Sequence, residues 1–132
     1  MKVIVDTSVW SEALRKKSSP NQKIIKLLTE FIRDVRVQLI GPIRQELLSG
    51  IKSETQFEEL KYYLSTFNDL LIKTEDYEKA AEFFNICRSN GIQGSNTDFL
   101  ICAVANNNNL EIFTTDKDFE NYQKYLPIDL YN

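Results

Sequence analysis

Short apolar runs alternate along the chain with longer stretches whose apolar residues recur at helical spacing. The short runs predict strands at residues 2–5, 35–40, 70–72 and 111–114, and an edge strand at 128–130. The amphipathic stretches predict helices at 9–14, 22–34, 41–49, 54–67, 77–88, 97–105 and 116–125. This alternation predicts an α/β fold with a mostly parallel central sheet of four or five strands flanked by helices.

Local signals agree with these boundaries. Pro20 precedes the second predicted helix, and Pro42 suits the first turn of the third. The stretch 97–105 is apolar nearly all round, so we expect a helix buried in the core. The asparagines at 106–109 tolerate the left-handed conformation that often ends a helix. No repeat or linker divides the sequence, and residues 1–132 are therefore predicted to form one domain.

The composition and the first residues predict the cellular location of the protein and the state of its cysteines. No apolar run approaches the roughly 20 residues of a membrane span, and no membrane association is expected. The first residues, MKVIVD, meet a charge too soon to form the core of a signal peptide, which favours the cytoplasm. Cys87 and Cys102 each lie in an apolar helical pattern, and we interpret both as small core residues.

The sequence contains no histidine, and this limits the chemistry available to it. A Ser-His-Asp triad, a histidine proton shuttle and a histidine-rich zinc site are all excluded. Two cysteines are too few for a zinc site made of thiolates alone. Hydrolytic chemistry would have to come from carboxylates, lysine, hydroxyls or a bound ion.

The net charge of −3 is spread unevenly. Residues 13–36 contain seven basic and two acidic residues, a net charge of +5, which leaves −8 for the remainder. Such a basic stretch could contact a phosphate backbone, and the candidate RNA-binding residues are Arg15, Lys16 and Lys17. The alternative is a solvated helix surface.

Acidic residues recur where predicted strands and helices begin or end. Asp6 closes the first apolar run, and Asp98 and Asp116 occupy similar places in two later segments. Carboxylates gathered at one edge of a parallel sheet repel each other unless a cation lies between them. Their spacing therefore predicts a metal site.

Each acidic residue also has a structural explanation. Asp98 fits a capping box that begins at Ser95, and Asp116 could be an ordinary acid in the first turn of a helix. Glu46 falls at the border of the apolar side of its helix, where a half-buried glutamate is harder to dismiss. For Asp6 we favour a functional role, because an uncompensated carboxylate at the end of a central strand is costly.

Four segments together carry a family resemblance: DTSVW at 6–10, ELLSG at 46–50, GSNTDFLICA at 94–103 and FTTDKDF at 113–119. In order and spacing they resemble the PIN-domain ribonucleases, and most closely the small toxins of VapBC toxin-antitoxin pairs. The resemblance spans essentially the whole chain. Asparagines at 106–109 replace the usual glycine-ended cap, and Cys102 takes a place often held by alanine. Neither departure involves a carboxylate.

The resemblance implies a catalytic metal cluster. Asp6, Glu46, Asp98 and Asp116 would hold one or two Mg²⁺ ions, with Mn²⁺ as a substitute. Asp118 would be a further ligand, and the secondary polar residues would be Ser8 and Thr115. The donors themselves agree, since carboxylates and water suit Mg²⁺ and Mn²⁺ rather than zinc.

The activity implied is that of a cytoplasmic, metal-dependent endoribonuclease in which activated water attacks the scissile phosphate. The partners implied are RNA, a small cognate antitoxin protein and a second copy of the chain in a homodimer. Two alternatives stay open: a catalytically silent PIN-type module that binds RNA or protein, and a stand-alone RNA-processing nuclease. An aspartyl-phosphate phosphatase is disfavoured, because Ser8 stands where its second aspartate belongs.

Overall fold

A computed structural model describes residues 1–14 and 20–131 of the chain. These residues contain one four-stranded sheet, whose strands are β1 (Val3–Val5), β2 (Val37–Gln38), β3 (Glu111–Phe113) and β4 (Asp129–Leu130). The strands lie in the order β2-β1-β3-β4, and every pairing is parallel. The α/β fold with a parallel central sheet is confirmed.

Seven helices surround the sheet in the described part of the chain. They are α1 (Thr7–Leu14), α2 (Gln22–Arg33), α3 (Gly41–Leu48), α4 (Glu54–Leu64), α5 (Thr74–Ser89), α6 (Asn96–Asn107) and α7 (Asp118–Gln123). Each matches a predicted helix, with ends shifted by up to three residues. Across 1–14 and 20–131, no helix is both long and apolar enough to cross a membrane.

The strand predicted at 70–72 is wrong. An isolated parallel bridge pairs Leu39 with Asp69, just before the predicted strand, and the Leu70 N–H donates to the Leu39 carbonyl at 2.8 Å. Leu71 is 80% exposed, so the apolar run that suggested a strand is not buried in the sheet. The chain leaves the sheet after one pairing and enters α5 at Thr74.

The core is built around β1 and α6. All three residues of β1 are buried between β2 and β3, which makes it a central strand. In α6 every residue from Phe99 to Ala105 is buried, as its apolar sequence predicts. Cys87 and Cys102 are free and buried, in agreement with the role of core residues.

Two helices end in a left-handed residue other than glycine, with the hydrogen bonds of a Schellman motif. After α6, Asn109 has φ 54°, and the Leu110 N–H donates to the Ala105 carbonyl. After α2, Val35 has φ 55°, and the Arg36 N–H donates to the Phe31 carbonyl. Asparagine was expected to end a helix in this way, but a β-branched valine is strained in this conformation.

Two side chains fix how helices begin and pack. The buried Asp76 carboxylate accepts from the Lys73 backbone N–H at 2.9 Å and from the Asn107 amide at 2.8 Å. It therefore starts α5 and ties that start to the end of α6. Arg44 of α3 pairs with Asp69 and donates to the carbonyls of Leu64 and Phe67. These bonds hold α3 against the end of α4.

Candidate active site

Asp6 stands at the carboxyl end of the central strand and is 6% exposed. The register that pairs Val5 with Phe113 continues one residue further and brings Asp6 beside Thr114. The Asp6 N–H donates to the Phe113 carbonyl at 2.9 Å, and the Asp6 carbonyl accepts from Val9 in the first turn of α1. The backbone is thus held on both sides, and the carboxylate lies at the sheet edge where open α/β folds bind ligands.

Two hydroxyls hold one oxygen of Asp6. Ser8 Oγ and Thr114 Oγ1 each donate to Asp6 Oδ2 at 2.8 Å. Ser8 Oγ also accepts the backbone N–H of Thr115 at 3.1 Å, and Thr114 Oγ1 accepts the backbone N–H of Asp116 at 3.0 Å. Both N–H groups belong to the loop after β3. The loop after β3 is therefore tied to Asp6 through the two hydroxyls.

Asp116 lies in this loop and is partly buried. Its Oδ1 accepts the backbone N–H of Asp118 at 2.9 Å, at the start of α7. Asp116 therefore precedes α7 and caps its start, so the placement in the first turn of the helix is wrong, and the capping bond occupies only one of the two oxygens. Asp118 is exposed and has its own N–H turned toward Asp116.

Asp98 reaches the site from the first turn of α6. Half of the predicted capping box forms, because the Ser95 hydroxyl accepts the Asp98 N–H at 3.1 Å. The Asp98 carboxylate has a different partner, the hydroxyl of Tyr122 on α7, which donates to Oδ2 at 2.7 Å. Asp98 is therefore more than a cap residue.

Glu46 extends from α3 and is exposed, not half-buried as its helical position suggested. It lines a groove of about 520 Å³ with Thr7, Gln45, Ser49 and other polar residues. The Thr7 hydroxyl is buried and, among the described residues, has no hydrogen-bond partner of ordinary geometry. It nevertheless lies near enough to Glu46 to oppose the rise in the pKa of that carboxyl. The groove thus has polar walls and one carboxylate.

Electrostatic interactions connect the four acids. The pKa of Asp98 is raised, first by burial and then by the charges of Asp6 and Asp116, while the Tyr122 hydrogen bond opposes the rise. The Glu46 side chain as a whole is exposed, but partial desolvation of its carboxyl, followed by the charges of Asp6 and Asp98, raises its pKa. Side chains from the end of β1, from α3, from α6 and from the loop after β3 therefore interact with one another. Together they are called the acidic cluster: Asp6, Glu46, Asp98 and Asp116.

The donor chemistry of the acidic cluster fits Mg²⁺ or Mn²⁺. In residues 1–14 and 20–131, no three acidic or cysteine side chains lie close enough to enclose an ion by themselves. Mg²⁺ does not require such an enclosure, since it keeps several waters and binds through one or two carboxylates. For each of the three aspartates, the hydrogen bonds described above fall on a single oxygen, which leaves the other as the candidate ligand.

The other predicted site residues divide into three cases. Arg15, Lys16 and Lys17 lie outside the described residues. Ser8 contacts Asp6, and its role as a secondary site residue stays a prediction. Thr115 approaches the site through its backbone N–H, and a role for its side chain stays a prediction.

Two residues that contact the acidic cluster were missed from the sequence. Thr114 bridges Asp6 and the Asp116 N–H, and the only local signal was its place at the end of a strand. Tyr122 contacts Asp98 across 24 positions of sequence, and no local signal indicated this. Both depend on register or on helix packing, which single-sequence patterns do not give.

Solved structures share this fold over nearly the whole chain. VapBC2 from Rickettsia felis, bound to a promoter DNA fragment, has a TM-score of 0.79 at 18% identity, with 100% of this chain and 98% of that chain covered. FitAcB from Neisseria gonorrhoeae has a TM-score of 0.78 at 20% identity, with coverage of 98% and 96%. A toxin-antitoxin complex from Klebsiella pneumoniae has a TM-score of 0.66 at 19% identity, with coverage of 89% and 90%. At these identities the similarity establishes the fold.

Sequence comparison supplies the family. A search of curated proteins finds no match. The family model described as the PIN domain matches residues 3–125, and this range contains every member of the acidic cluster. The chain therefore belongs to the PIN domain family.

Proposed function

We propose that the chain is a Mg²⁺- or Mn²⁺-dependent endoribonuclease that acts as the toxin of a type II toxin-antitoxin pair. One observation carries the nuclease assignment: four acidic side chains from four separate elements interact at the carboxyl edge of a parallel sheet. An acidic cluster of this kind is unfavourable for folding, because like charges repel and partial burial disfavours ionisation. A bound divalent cation gives a reason for this arrangement.

The residues have distinct tasks in this proposal. Asp6, Asp98 and Asp116 would hold one or two ions, directly or through bound water, by the oxygen that their protein hydrogen bonds leave open, and Glu46 would contribute from the groove. When bound, the metal would supply Lewis acidity toward the phosphate and lower the pKa of a water nucleophile. Ser8 and Thr114 would keep Asp6 in one orientation throughout the reaction.

The groove beside Glu46 would receive the RNA. Its lining contains hydroxyls and an amide, from Thr7, Ser11, Gln45, Ser49 and Thr97. Among the described residues, no lysine or arginine lines this groove. Such groups suit hydrogen bonds to sugar hydroxyls and base edges. Attraction for the phosphate backbone would then come from the metal and from basic residues elsewhere, for which Arg15, Lys16 and Lys17 remain the candidates.

The toxin assignment depends on the similar structures. These include VapBC2, FitAcB and a complex described as toxin-antitoxin, each matched over at least 89% of this chain. By analogy we infer that a small antitoxin protein is the partner of this chain. The homodimer and the cytoplasmic location remain proposals from the family resemblance of the sequence.

Cleavage of a mixed RNA pool tests the nuclease assignment. The wild-type protein should cleave with Mg²⁺ or Mn²⁺ and should stop when EDTA is in excess. Asp6→Asn and Asp98→Asn should keep the fold, checked by circular dichroism, and lose cleavage. Binding of RNA without any cleavage would instead support a silent binding module. Co-purification with the product of a short neighbouring gene would separate a toxin from a stand-alone processing nuclease.

A further inference from the structure

Tyr122 is a buried tyrosine whose hydroxyl reaches the acidic cluster. It lies on α7 with its side chain wholly buried, and Oη donates to Asp98 Oδ2 at 2.7 Å. Burial and the neighbouring Asp98 raise the pKa of the Tyr122 hydroxyl, so it stays protonated and remains a donor. The bond joins α7 to α6, the preceding helix in the chain, across 24 positions of sequence.

Packing fixes the position of this hydroxyl. The Tyr122 ring contacts Phe99 and Phe119, with centroid distances of 4.9 and 5.2 Å. On another side, Gly94 leaves room for the tyrosine: a Cβ built at Gly94 would lie 2.8 Å from Cζ of Tyr122 and closer still to Oη. The ring therefore has little freedom to move, and Oη is held at one point beside Asp98.

A donor 24 positions away bonds the Asp98 carboxylate, whereas Asp6 and Asp116 each have a donor close in sequence, in addition to the distant Thr114 at Asp6. Ser8 lies two residues from Asp6, and Asp118 lies two residues from Asp116. For Asp98, the Ser95 hydroxyl accepts the backbone N–H and lies near enough to the carboxyl to oppose the rise in its pKa, while Tyr122 donates directly to the carboxylate. The Tyr122 bond restrains the Asp98 carboxylate through Oδ2 and leaves Oδ1 outside that bond.

We propose that Tyr122 is a positioning residue that orients the Asp98 carboxylate for the metal and thereby raises the metal affinity of the acidic cluster. This inference rests on the proposed function, since it assumes that Asp98 is a metal ligand. Groups that hydrogen-bond to metal ligands typically contribute 10- to 100-fold to affinity or activity. Tyr122 would act on affinity, because its hydroxyl contacts the ligand and not the RNA groove.

Titration calorimetry of Mn²⁺ into the metal-free full chain, without RNA, tests the proposal. Tyr122→Phe removes only the hydroxyl and should weaken Mn²⁺ binding by about 10-fold or more. Tyr125→Phe, on a 45% exposed tyrosine three residues away, should bind Mn²⁺ like the wild type. In RNA cleavage, high Mn²⁺ should restore kcat to Tyr122→Phe while the KM for RNA stays unchanged.

A double-mutant cycle separates positioning from a merely structural role. In an Asp98→Asn background, Tyr122→Phe should cause no further loss of Mn²⁺ affinity, because its effect passes through Asp98. Gly94→Ala, which displaces the hydroxyl without removing it, should also weaken Mn²⁺ binding, and it serves as the test if Tyr122→Phe does not fold. Mn²⁺ affinity within about twofold of the wild type in Tyr122→Phe, even with lower stability, would overturn the inference. A wild-type protein that neither binds Mn²⁺ nor cleaves RNA would overturn the proposed function with it.

Discussion

Replacing Gly94 by alanine puts a methyl group where the Tyr122 side chain lies. The new Cβ would be 2.8 Å from Cζ of Tyr122 and 2.9 Å from Cε2 of Phe99, and Oη of Tyr122 would be its nearest neighbour. Real Cβ contacts are almost never this short, so the ring or the loop must shift. The φ of Gly94 lies outside the left-handed region, and the expected cost is therefore one of packing and not of backbone strain.

The magnitude follows from two opposing effects. Overpacking a well-filled core costs about 1–3 kcal/mol. Alanine also restricts the unfolded chain and returns about 0.4–1 kcal/mol. We expect a net loss of about 1–2 kcal/mol in the free energy of unfolding, measured by urea denaturation in metal-free buffer. At this chain length, 1 kcal/mol corresponds to a fall in Tm of about 4 °C.

Gly41→Ala is the matched control. Gly41 is the first residue of α3, and a Cβ there has nothing within 4 Å, so stability should stay the same or rise slightly. Combining Gly94→Ala with Tyr122→Phe removes the closest atom, and the pair should cost less than the sum of the single variants. A Gly94→Ala protein as stable as the wild type, or strictly additive losses in the pair, would refute this account of the packing.

Three further predictions concern stability in metal-free buffer. Val35→Gly should raise the unfolding free energy by roughly 0.5–1 kcal/mol, because Val35 is 76% exposed at φ 55° and relief of left-handed strain outweighs the added chain entropy; a loss of stability would show that the valine is not strained. Asp76→Ala should lower the unfolding free energy by about 2–4 kcal/mol in urea melts, because two donors, from Lys73 and Asn107, lose their buried acceptor; a change under about 0.5 kcal/mol would contradict this. Asp98→Asn should be more stable than the wild type at neutral pH. Folding raises the pKa of Asp98, so the ionised Asp98 carboxylate destabilises the folded state of the wild type at neutral pH. Protonation of Asp98 removes this destabilisation as the pH falls through the raised pKa. The advantage of Asp98→Asn should therefore shrink on acidification, and a constant or growing advantage in melts at several pH values would contradict the sign.

The sequence predicted the elements of the fold because most of them bury an apolar side. Helix α6 shows this clearly, since its apolar residues from Phe99 to Ala105 are all buried. The predicted strand at 70–72 failed because a short apolar run can lie partly exposed at the margin of a sheet, as Leu71 does. Val35 was assigned to a strand because valine favours strands, yet the hydrogen bonds that end α2 hold it in a left-handed conformation.

The acidic residues of the site were identifiable from sequence, but their partners were not. Asp6 and Asp116 could be recognised at the ends of apolar runs. The residue that joins them is Thr114, whose role follows from the register of β1 against β3. The contact of Tyr122 with Asp98 depends on how α7 packs against α6. Residues set by local pattern were predicted, whereas residues set by tertiary pairing were not.

The chemical ends of cleaved RNA test the central claim most directly. A metal-activated water attacking the scissile phosphorus leaves a 5′ phosphate and a 3′ hydroxyl. Side-chain acid-base catalysis would instead use the neighbouring 2′ hydroxyl, and a chain without histidine is poorly equipped for that proton transfer. Mass spectrometry of products made with Mg²⁺ or Mn²⁺ should find 5′ phosphate and 3′ hydroxyl ends, with no products in excess EDTA. Ends carrying a 2′,3′-cyclic phosphate, or cleavage that persists in EDTA, would contradict the assignment of Asp6, Glu46, Asp98 and Asp116 as a catalytic metal cluster.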